Sequence, residues 1–407
     1  MKKQPKRERR MKCPYCHSFS TKKDGRRELY FVGTDRKTKR LVQRYLCKDC
    51  KRSFSKRRDK HKHYSDGFRK ELIRMHVEER RSFRVISKRI RERYGIKISP
   101  GYLCKMFNDT ISRVKGSKQI KEEQEPKWSG YLIIDDKVIN VKGRKMISLI
   151  AKDKSGDIVH QELFKEVEQH CFDNFIRYIK TELKYNFRGI TTDLDKILEK
   201  SIKTILGEDF SHQYCLRHAI ENIKRILDYQ QLKMKVKRLE KEIFDLERGK
   251  RIEKMKKYLE LKEQLKAIDD MLDAIKKALW SGDISMTDKE LRKLERLYND
   301  KYPLVIDFLI KKKKGLLMHQ RDKEIPKTNN DAENTNRQIK RRLKTIEAFQ
   351  RFDYAQNYLI LYCNYLRMKP YTDCKGKRKY RNGHTPLELC QANFRVNDWV
   401  KFSINLK

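Results

Sequence analysis

The sequence lacks any apolar run that approaches the roughly 20 residues a membrane span requires. Its first residues, MKKQPKRERRMKC, are basic and lack the apolar segment of a secretory signal. These two absences predict a cytoplasmic protein, or a nuclear one if the host has a nucleus, with no membrane partner.

Negative charge is also scarce. The chain has 56 Asp and Glu against 101 Lys and Arg, a formal net charge of +45 that is spread over the whole 407 residues. Such an excess predicts a polyanionic partner. A lysine-rich proteome would produce the same excess without one, and membrane-surface binding is less favoured because no amphipathic basic helix stands out.

Ten cysteines in a cytoplasmic protein of this size indicate metal binding before disulfides. Four of them form two Cys-x2-Cys pairs near the N-terminus: Cys13, Cys16, Cys47 and Cys50. Between the pairs, GRRELYFVG and RLVQRYLC surround a turn signal at Gly33-Thr34-Asp35, which predicts a short hairpin. The hairpin would bring the pairs together around a tetrahedral zinc ion. Residues 1–60 are therefore predicted to be a zinc ribbon, the alternative being four unrelated reduced cysteines.

Residues 61–118 have the apolar spacing of three short helices, the third with Ser99 as N-cap and Pro100 at its first position. Gly95 breaks the chain before the third helix. This pattern predicts a helix-turn-helix domain that places its last helix in the DNA major groove, although other small helical domains share the outline. The polar segment 119–129, with Pro126, is predicted to be a linker.

Beyond the linker the pattern changes to strands: GYLIIDD, KVINVKG, KMISLIAKD and GDIVHQELF. A helix, the buried strand in FRGITTDLD, a helix near Lys196 to Leu206, a short strand at FSHQYC and a helix from Leu216 follow. This order predicts an RNase H-like α/β domain over 130–221 and 326–407, although periodicity alone allows other α/β folds. The charged, helical stretch 222–325 between them reads as an insertion that contacts DNA, mediates self-association or acts as a spacer.

Several carboxylates fall where these elements meet a predicted crevice. They are Asp135, Asp136, Asp193, Asp195 and Glu333. Hard oxygen ligands of this kind select Mg²⁺ or Mn²⁺, and two such ions would activate a nucleophile and stabilise the leaving oxygen at a DNA phosphate. The cations that follow Glu333 are predicted to hold the DNA backbone: Arg337, Lys340, Arg341 and Arg342.

The ordered set of Asp135, Asp193, HQYCLRH, a long helical insertion and NNDAENTNRQIKRRLKTIEAF resembles the DDE transposases of the mutator-like group and their prokaryotic insertion-sequence relatives. The tail LYCNYLRMKPY...NGHTPLELC is similar to the ends of insertion-sequence transposases. The resemblance covers most of 130–390. A zinc ribbon with a helix-turn-helix commonly precedes such a domain.

The resemblance implies that Asp135, Asp193 and Glu333 hold two divalent ions. Relatives often have glycine after the first aspartate, where this chain has Asp136, so the choice between Asp135 and Asp136 stays open, as does that between Asp193 and Asp195. Strand alternation favours one of each pair, and we prefer Asp135 and Asp193.

The resemblance also identifies a Cys-x2-His pair, Cys215 and His218, and an asparagine after the glutamate, Asn336. Cys215 and His218 would neighbour the site, as metal ligands, through a structural hydrogen bond or in contact with DNA.

The implied function is a transposase that binds inverted repeats and cuts and joins double-stranded DNA. The resemblance implies a prokaryotic protein that associates with the nucleoid and works as a homodimer or higher oligomer. The alternatives are a non-cleaving DNA-binding regulator and an RNase H-like nuclease that does not join.

Overall fold

The computed structural model of the chain describes residues 11–32, 37–55, 64–244, 248–346, 348–393 and 398–404. The strands are β1 (Thr21–Val32), β2 (Lys37–Cys47), β3 (Ser53–Ser55), β4 (Tyr131–Val141), β5 (Arg144–Asp153), β6 (Ile158–Phe164), β7 (Gly189–Thr192) and β8 (His212–Tyr214). The first helices are α1 (Asp66–Val77), α2 (Phe83–Tyr94), α3 (Pro100–Ile111), α4 (Ser117–Gln124), α5 (Gln169–Thr181), α6 (Lys196–Leu206), α7 (Leu216–Ile226) and α8 (Tyr229–Phe244). The later ones are α9 (Arg248–Trp280), α10 (Ile284–Tyr298), α11 (Pro303–Leu316), α12 (Met318–Arg321), α13 (Asn330–Leu343), α14 (Phe352–Met368), a 3₁₀ helix (Gly376–Arg381), α15 (Pro386–Leu389) and α16 (Trp399–Ser403).

The chain forms two compact units, the first made of residues 1–114 and 398–407 and the second of residues 115–397. The sequence predicts that the last residues belong with the α/β domain. Instead, α16 packs in the first unit, where Trp399 Nε1 donates to a Glu78 carboxylate oxygen at 3.1 Å and Asp398 pairs with Arg74 at 2.9 Å. These contacts explain why the observed boundary differs from the predicted one.

Three antiparallel strands, in the order β1-β2-β3, lie next to the turns that contain the cysteine pairs of the first unit. β1 and β2 pair from Thr21↔Cys47 to Val32↔Lys37, with an irregularity between Lys23 and Arg26. The predicted turn at Gly33-Thr34-Asp35 lies outside the described residues.

Three helices, α1 to α3, follow in the first unit, and each begins at a serine whose side chain accepts a backbone N–H. Ser99 accepts from Tyr102 N at 3.2 Å and Pro100 occupies the first helical position, so this predicted start is confirmed. Gly95 ends α2 with a φ of 65°, a left-handed conformation that glycine adopts without steric cost. Apolar side chains from all three helices, such as Leu72, Ile86 and Leu103, are fully buried.

The second unit contains a five-stranded mixed sheet in the order β6-β5-β4-β7-β8. β4, β5 and β6 are antiparallel neighbours, whereas β4, β7 and β8 are parallel. Leu132, Leu149 and Ile190 of the sheet pack with Phe172 and Ile176 of α5 in one apolar core. The sheet therefore has one side covered by helices, as its apolar runs require.

Two sequence predictions for this unit are wrong in detail. GYLIIDD and KVINVKG are not two strands, because β4 continues through the aspartates and pairs with β5 over its whole length. The predicted linker 119–129 begins inside α4, where Ile120 is buried, and ends next to Trp128, whose indole N–H donates to Asp157 at 2.9 Å. Buried side chains make this segment part of the packed unit.

The helices of the predicted insertion pack in an apolar cluster that is distinct from the sheet core but also includes α7. Ile220 and Ile223 of α7 share one apolar cluster with Met271 and Ile275 of α9 and with Leu309 of α11. A second, smaller cluster joins α8 to α9 farther along the pair. Among the described residues, no helix is both long enough and apolar enough to span a membrane.

Candidate active site and metal centre

Four thiols of the first unit form a group that could bind a metal ion such as zinc, as their spacing predicts. The sulfur atoms of Cys13, Cys16, Cys47 and Cys50 all lie within 4.8 Å of one another, and we call these residues the four-cysteine group. Two of the separations are 3.6 Å, between Cys13 and Cys50, and 3.5 Å, between Cys16 and Cys47. Tetrahedral zinc with bonds of about 2.3 Å needs sulfur atoms about 3.8 Å apart. The thiols therefore fit such an ion.

Local backbone structure holds each cysteine pair in place. Cys13 N donates to Ser18 O at 2.7 Å, and Cys47 N donates to Arg52 O at 3.0 Å, so each pair lies on a tight turn. Cys47 is the last residue of β2, and its partner across the ladder is Thr21 of β1. The strand pairing therefore brings the two turns together.

The carboxylates predicted for the second metal site come from three separate elements. Asp135 and Asp136 lie in the middle of β4, two and three residues beyond its last pair with β7, Ile133↔Thr191. Asp193 follows the last residue of β7, and Glu333 lies in the first turn of α13. We call Asp135, Asp136, Asp193 and Glu333 the acidic cluster.

Two buried amides hold Asp135. Asn329 Nδ2 donates to Asp135 Oδ1 at 3.0 Å, and Asn336 Nδ2 donates to Asp135 Oδ2 at 2.7 Å. Asn336 is only 3% exposed and Asn329 is fully buried. The Oδ1 atoms of both amides are buried without a hydrogen-bond partner. Each amide thus fixes a carboxylate oxygen and leaves one acceptor oxygen of its own free.

Asn329 is not among the site residues predicted from the sequence, and Asn336 is predicted only as a neighbour of the site. With Glu333 between them, these residues occur at positions i, i+4 and i+7, a spacing that puts all three on one face of α13. This polar helical stripe was the signal that would have found the amides.

Glu333 is held from the opposite side by α7. Arg217 Nη1 lies 2.9 Å from Glu333 Oε2, and His218 Nε2 lies 3.4 Å from Glu333 Oε1. The N–H of Leu216, at the start of α7, donates to Lys327 O at 3.1 Å and so ties this helix to the segment before α13. His218 therefore neighbours the site through a carboxylate contact.

Cys215, the other residue of the predicted Cys-x2-His pair, lies at the start of α7. It is buried at the N-cap position of α7, where its N–H donates to Thr192 O at 2.7 Å. Burial raises the pKa of its thiol. A buried neutral thiol in this position packs the start of the helix.

Local hydrogen bonds separate the roles of Asp193 and Asp195. Asp195 caps α6 by accepting the N–H of Leu198 at 2.8 Å. The Asp193 carboxylate accepts the N–H of Asp195, at 3.2 Å, within the loop. Asp195 thus has a structural role as the cap of α6, whereas the charge of Asp193 acts on Asp135.

Burial and mutual repulsion raise the pKa values in the acidic cluster. Burial, together with the charges of Asp136, Asp193 and Glu333, raises the pKa of Asp135 to about 7 against the pull of the Asn336 amide. Burial and the charges of Asp193 and Asp195 raise the pKa of Asp136 to about 6. The charges of both Asp193 and Glu333 act on Asp135.

The carboxylates are close enough to repel but do not converge as the thiols do. Among the residues that the structure describes, the four-cysteine group is the one set of three or more His, Cys, Asp or Glu ligand atoms within 4.8 Å of one another. The acidic cluster offers carboxylate oxygens and the free amide oxygens of Asn329 and Asn336. Oxygen donors of this kind suit a hard divalent cation.

A buried ion-pair group, which we call the Asp331 clamp, fixes the start of α13. Arg381 Nη1 lies 3.0 Å from Asp331 Oδ2, Arg378 pairs with Oδ1, and Arg381 Nη2 donates to Lys154 O at 2.7 Å. Although burial raises the pKa of Asp331, the charges of Lys152, Arg378 and Arg381 hold it below its usual value. The 3₁₀ helix thus anchors the turn that carries Glu333.

The basic residues that follow Glu333 differ in position. Arg337, Lys340 and Arg341 are exposed, and no carboxylate of the described residues lies within ion-pair distance of them. Arg342 does not fit its predicted role in DNA binding, because it is 1% exposed. Its guanidinium lies 5.7 Å from the centre of the Tyr358 ring and donates to Thr345. It packs α13 against α14.

Comparison with known protein families and with curated proteins finds no match to this chain.

Proposed function

We propose that this protein is a DDE-type DNA transposase with an RNase H-like catalytic domain. The observation that carries the proposal is the acidic cluster, in which Asp135, Asp193 and Glu333 come from β4, the end of β7 and α13 and affect one another electrostatically. The order of three antiparallel strands followed by two parallel ones supports the fold assignment. The DNA substrate is supported by the net charge of +45 and by the exposed Arg337, Lys340 and Arg341 that follow Glu333 on α13.

In this proposal Asp135, Asp193 and Glu333 would hold Mg²⁺ or Mn²⁺, and the ion would supply Lewis-acid polarisation of a phosphodiester and activation of the attacking oxygen. Asn329 and Asn336 keep Asp135 in one orientation, and Arg217 restrains Glu333. Attack of water on a phosphorus atom breaks one P–O bond and frees a 3′-hydroxyl. That hydroxyl then attacks a target phosphodiester, and the displaced oxygen leaves.

In this proposal the first unit recognises the inverted repeats at the two ends of the mobile DNA. The four-cysteine group holds zinc in a zinc ribbon, and α1 to α3 act as a helix-turn-helix with α3 at the DNA. Exposed Tyr102 on α3 is available for contact with DNA. Two ends must meet for joining, so the working form is a homodimer or a higher oligomer.

The test uses a labelled duplex from the DNA that flanks the gene, incubated with the protein and Mg²⁺. Cutting followed by strand transfer supports the proposal, cutting alone indicates a nuclease, and binding without cutting indicates a regulator. The Glu333→Gln protein should bind the duplex but lose about 10³-fold or more in cutting rate. Near-normal joining by that variant would contradict the assignment of Glu333.

A matched control separates the two aspartates of the loop after β7. Asp193→Asn should abolish cutting, whereas Asp195→Ser, which keeps a side-chain cap for α6, should cut within a few-fold of the wild-type rate. The opposite result would exchange the roles of Asp193 and Asp195.

A further inference from the structure

A groove of about 190 Å³ lies beside the acidic cluster, between the second half of β4 and the end of α13. Lys137 and Val138 line it from β4, Lys340, Leu343 and Lys344 from α13 and its C-cap, and Phe349 from the segment that follows. We call it the lysine groove.

The lysine groove continues directly from the acidic cluster. Lys137 follows Asp136 on β4, and Lys340 lies one helical turn after Asn336, whose amide holds Asp135. At its far end, Lys142 N donates to Phe349 O at 2.7 Å, so the segment after α13 is fixed against β4. A strand that passes through the acidic cluster would therefore run into the groove.

In the part of the chain that the structure describes, the charged side chains that line the lysine groove are all cationic, and an acidic charge beside the groove, that of Asp136, interacts with Lys137. No carboxylate of the described residues lines it or lies within ion-pair distance of Lys137, Lys340 or Lys344. Elsewhere in the second unit the lysines of a comparable groove are paired, as Lys312 is with Glu199 at 2.8 Å. Three ammonium groups with no ion-pair partner among the described residues surround one groove and attract an anion.

The same groove also presents apolar surface. Val138 is 54% exposed, and the Phe349 ring and Leu343 are partly exposed beside it. A free phosphate would leave this surface uncovered, and a base-paired duplex keeps its base faces stacked inside. An unpaired nucleotide offers both a phosphate for the lysines and an open base face for the apolar wall.

We propose that the lysine groove binds one unpaired nucleotide of the DNA strand that adjoins the reacting phosphate. The base lies against Val138, Leu343 and Phe349, and its flanking phosphates contact the three lysines. This inference rests on the proposed function, since it takes the reacting strand from the acidic cluster. It adds that the duplex is opened by at least one nucleotide next to the cut.

The test is a photocrosslink made with the full-length protein in the absence of Mg²⁺. The probe is single-stranded oligothymidylate, dT12, with one 5-iodouracil, which crosslinks to aromatic side chains on irradiation. We expect the adduct in the peptide that contains Phe349. The triple variant Lys137→Gln/Lys340→Gln/Lys344→Gln should reduce its yield about fivefold or more.

The matched control changes three exposed lysines of α9, Lys257, Lys266 and Lys277, to Gln and keeps the same net charge as the groove variant. It should retain the adduct at Phe349, and circular dichroism should show both variants folded. Equal yields from the two variants, adducts only at other sites, or an equal adduct from the dT12·dA12 duplex would each overturn the proposal.

The outcome can be separated from the proposed function. The Glu333→Gln protein should keep the adduct because the groove does not use that carboxylate. An adduct in a wild-type protein that never cuts DNA would support the groove and overturn the transposase assignment. Cutting and joining without the adduct would support the transposase assignment and overturn the proposed role of the lysine groove.

Discussion

The four-cysteine group of the first unit brings its thiols within 4.8 Å, whereas the acidic cluster of the second unit holds its carboxylates farther apart. Each thiol pair is set by a turn of a few residues, and one strand ladder joins the two turns. The acidic cluster joins β4, the end of β7 and α13, and its members repel one another. Local turns can preassemble a site of soft ligands, but a charged site from distant segments needs separate restraints.

The largest expected effect comes from breaking the four-cysteine group. Cys47→Ser should lower the zinc content of purified, reduced protein from about one ion per chain to near zero, because it removes one of four ligands from a closed site. Elemental analysis by mass spectrometry measures the content. Cys374→Ser, at a half-buried cysteine outside the group, should leave the content unchanged. Full zinc in Cys47→Ser would refute the site.

Among the restraints described above for the candidate site, the Asp331 clamp is the one whose loss should cost most. Asp331→Asn leaves Arg381 buried without its counter-charge, so we expect a loss of about 3–5 kcal/mol in the free energy of unfolding. Urea unfolding followed by circular dichroism measures it. Glu324→Gln breaks a pair of Lys154 in which Glu324 is 68% exposed and should cost about 0–1 kcal/mol. Equal losses in the two variants would show that the clamp is no restraint.

The repulsion within the acidic cluster should appear as a pH dependence of stability. Because the folded state raises the pKa of Asp135 from 3.8 to about 7, it binds the proton more tightly than the unfolded state does. The contribution of Asp135 to the free energy of unfolding is therefore highest near pH 4 and falls as the pH rises toward 7. We expect Asp135→Asn to remove most of this fall and to be more stable than wild type at pH 8 by about 2–4 kcal/mol.

Thermal unfolding of zinc-loaded protein without Mg²⁺, measured from pH 4 to 8, checks this expectation. The variant amide can be accommodated because Asn329 can turn its unpartnered Oδ1 toward it. Parallel pH profiles of wild type and Asp135→Asn would mean that Asp135 carries no excess charge repulsion in the folded protein.

The contrast between the two regions also explains what could be predicted from sequence. The four-cysteine group follows from Cys-x2-Cys spacing, and α6 begins and ends where the pattern of Lys196 to Leu206 predicts. The sequence predicts two strands in place of β4 because Asp135, Asp136 and Lys137 interrupt the apolar pattern, whereas the structure keeps these three residues within one strand. Local sequence patterns therefore predict local structure well.

The partners of distant residues could not be predicted, because periodicity does not register tertiary contacts. Arg342 is a cation in a basic stretch that predicts DNA contact, but its side chain is buried and its guanidinium lies against the Tyr358 ring. Likewise, nothing in the sequence of the 3₁₀ helix indicates that Arg378 and Arg381 hold Asp331. Assignment of the helix-turn-helix, the RNase H-like fold and the transposase activity stays a prediction.

The packing of α16 in the first unit affects when that unit can complete its folding during synthesis on the ribosome. Trp399 reaches its hydrogen-bond partner Glu78 across 321 residues of sequence. When the ribosome has synthesised α1 to α3, α16, which packs in the same unit, has not yet been made. The whole second unit must be synthesised before α16 is. The first unit therefore reaches its final form after the second unit can already have folded.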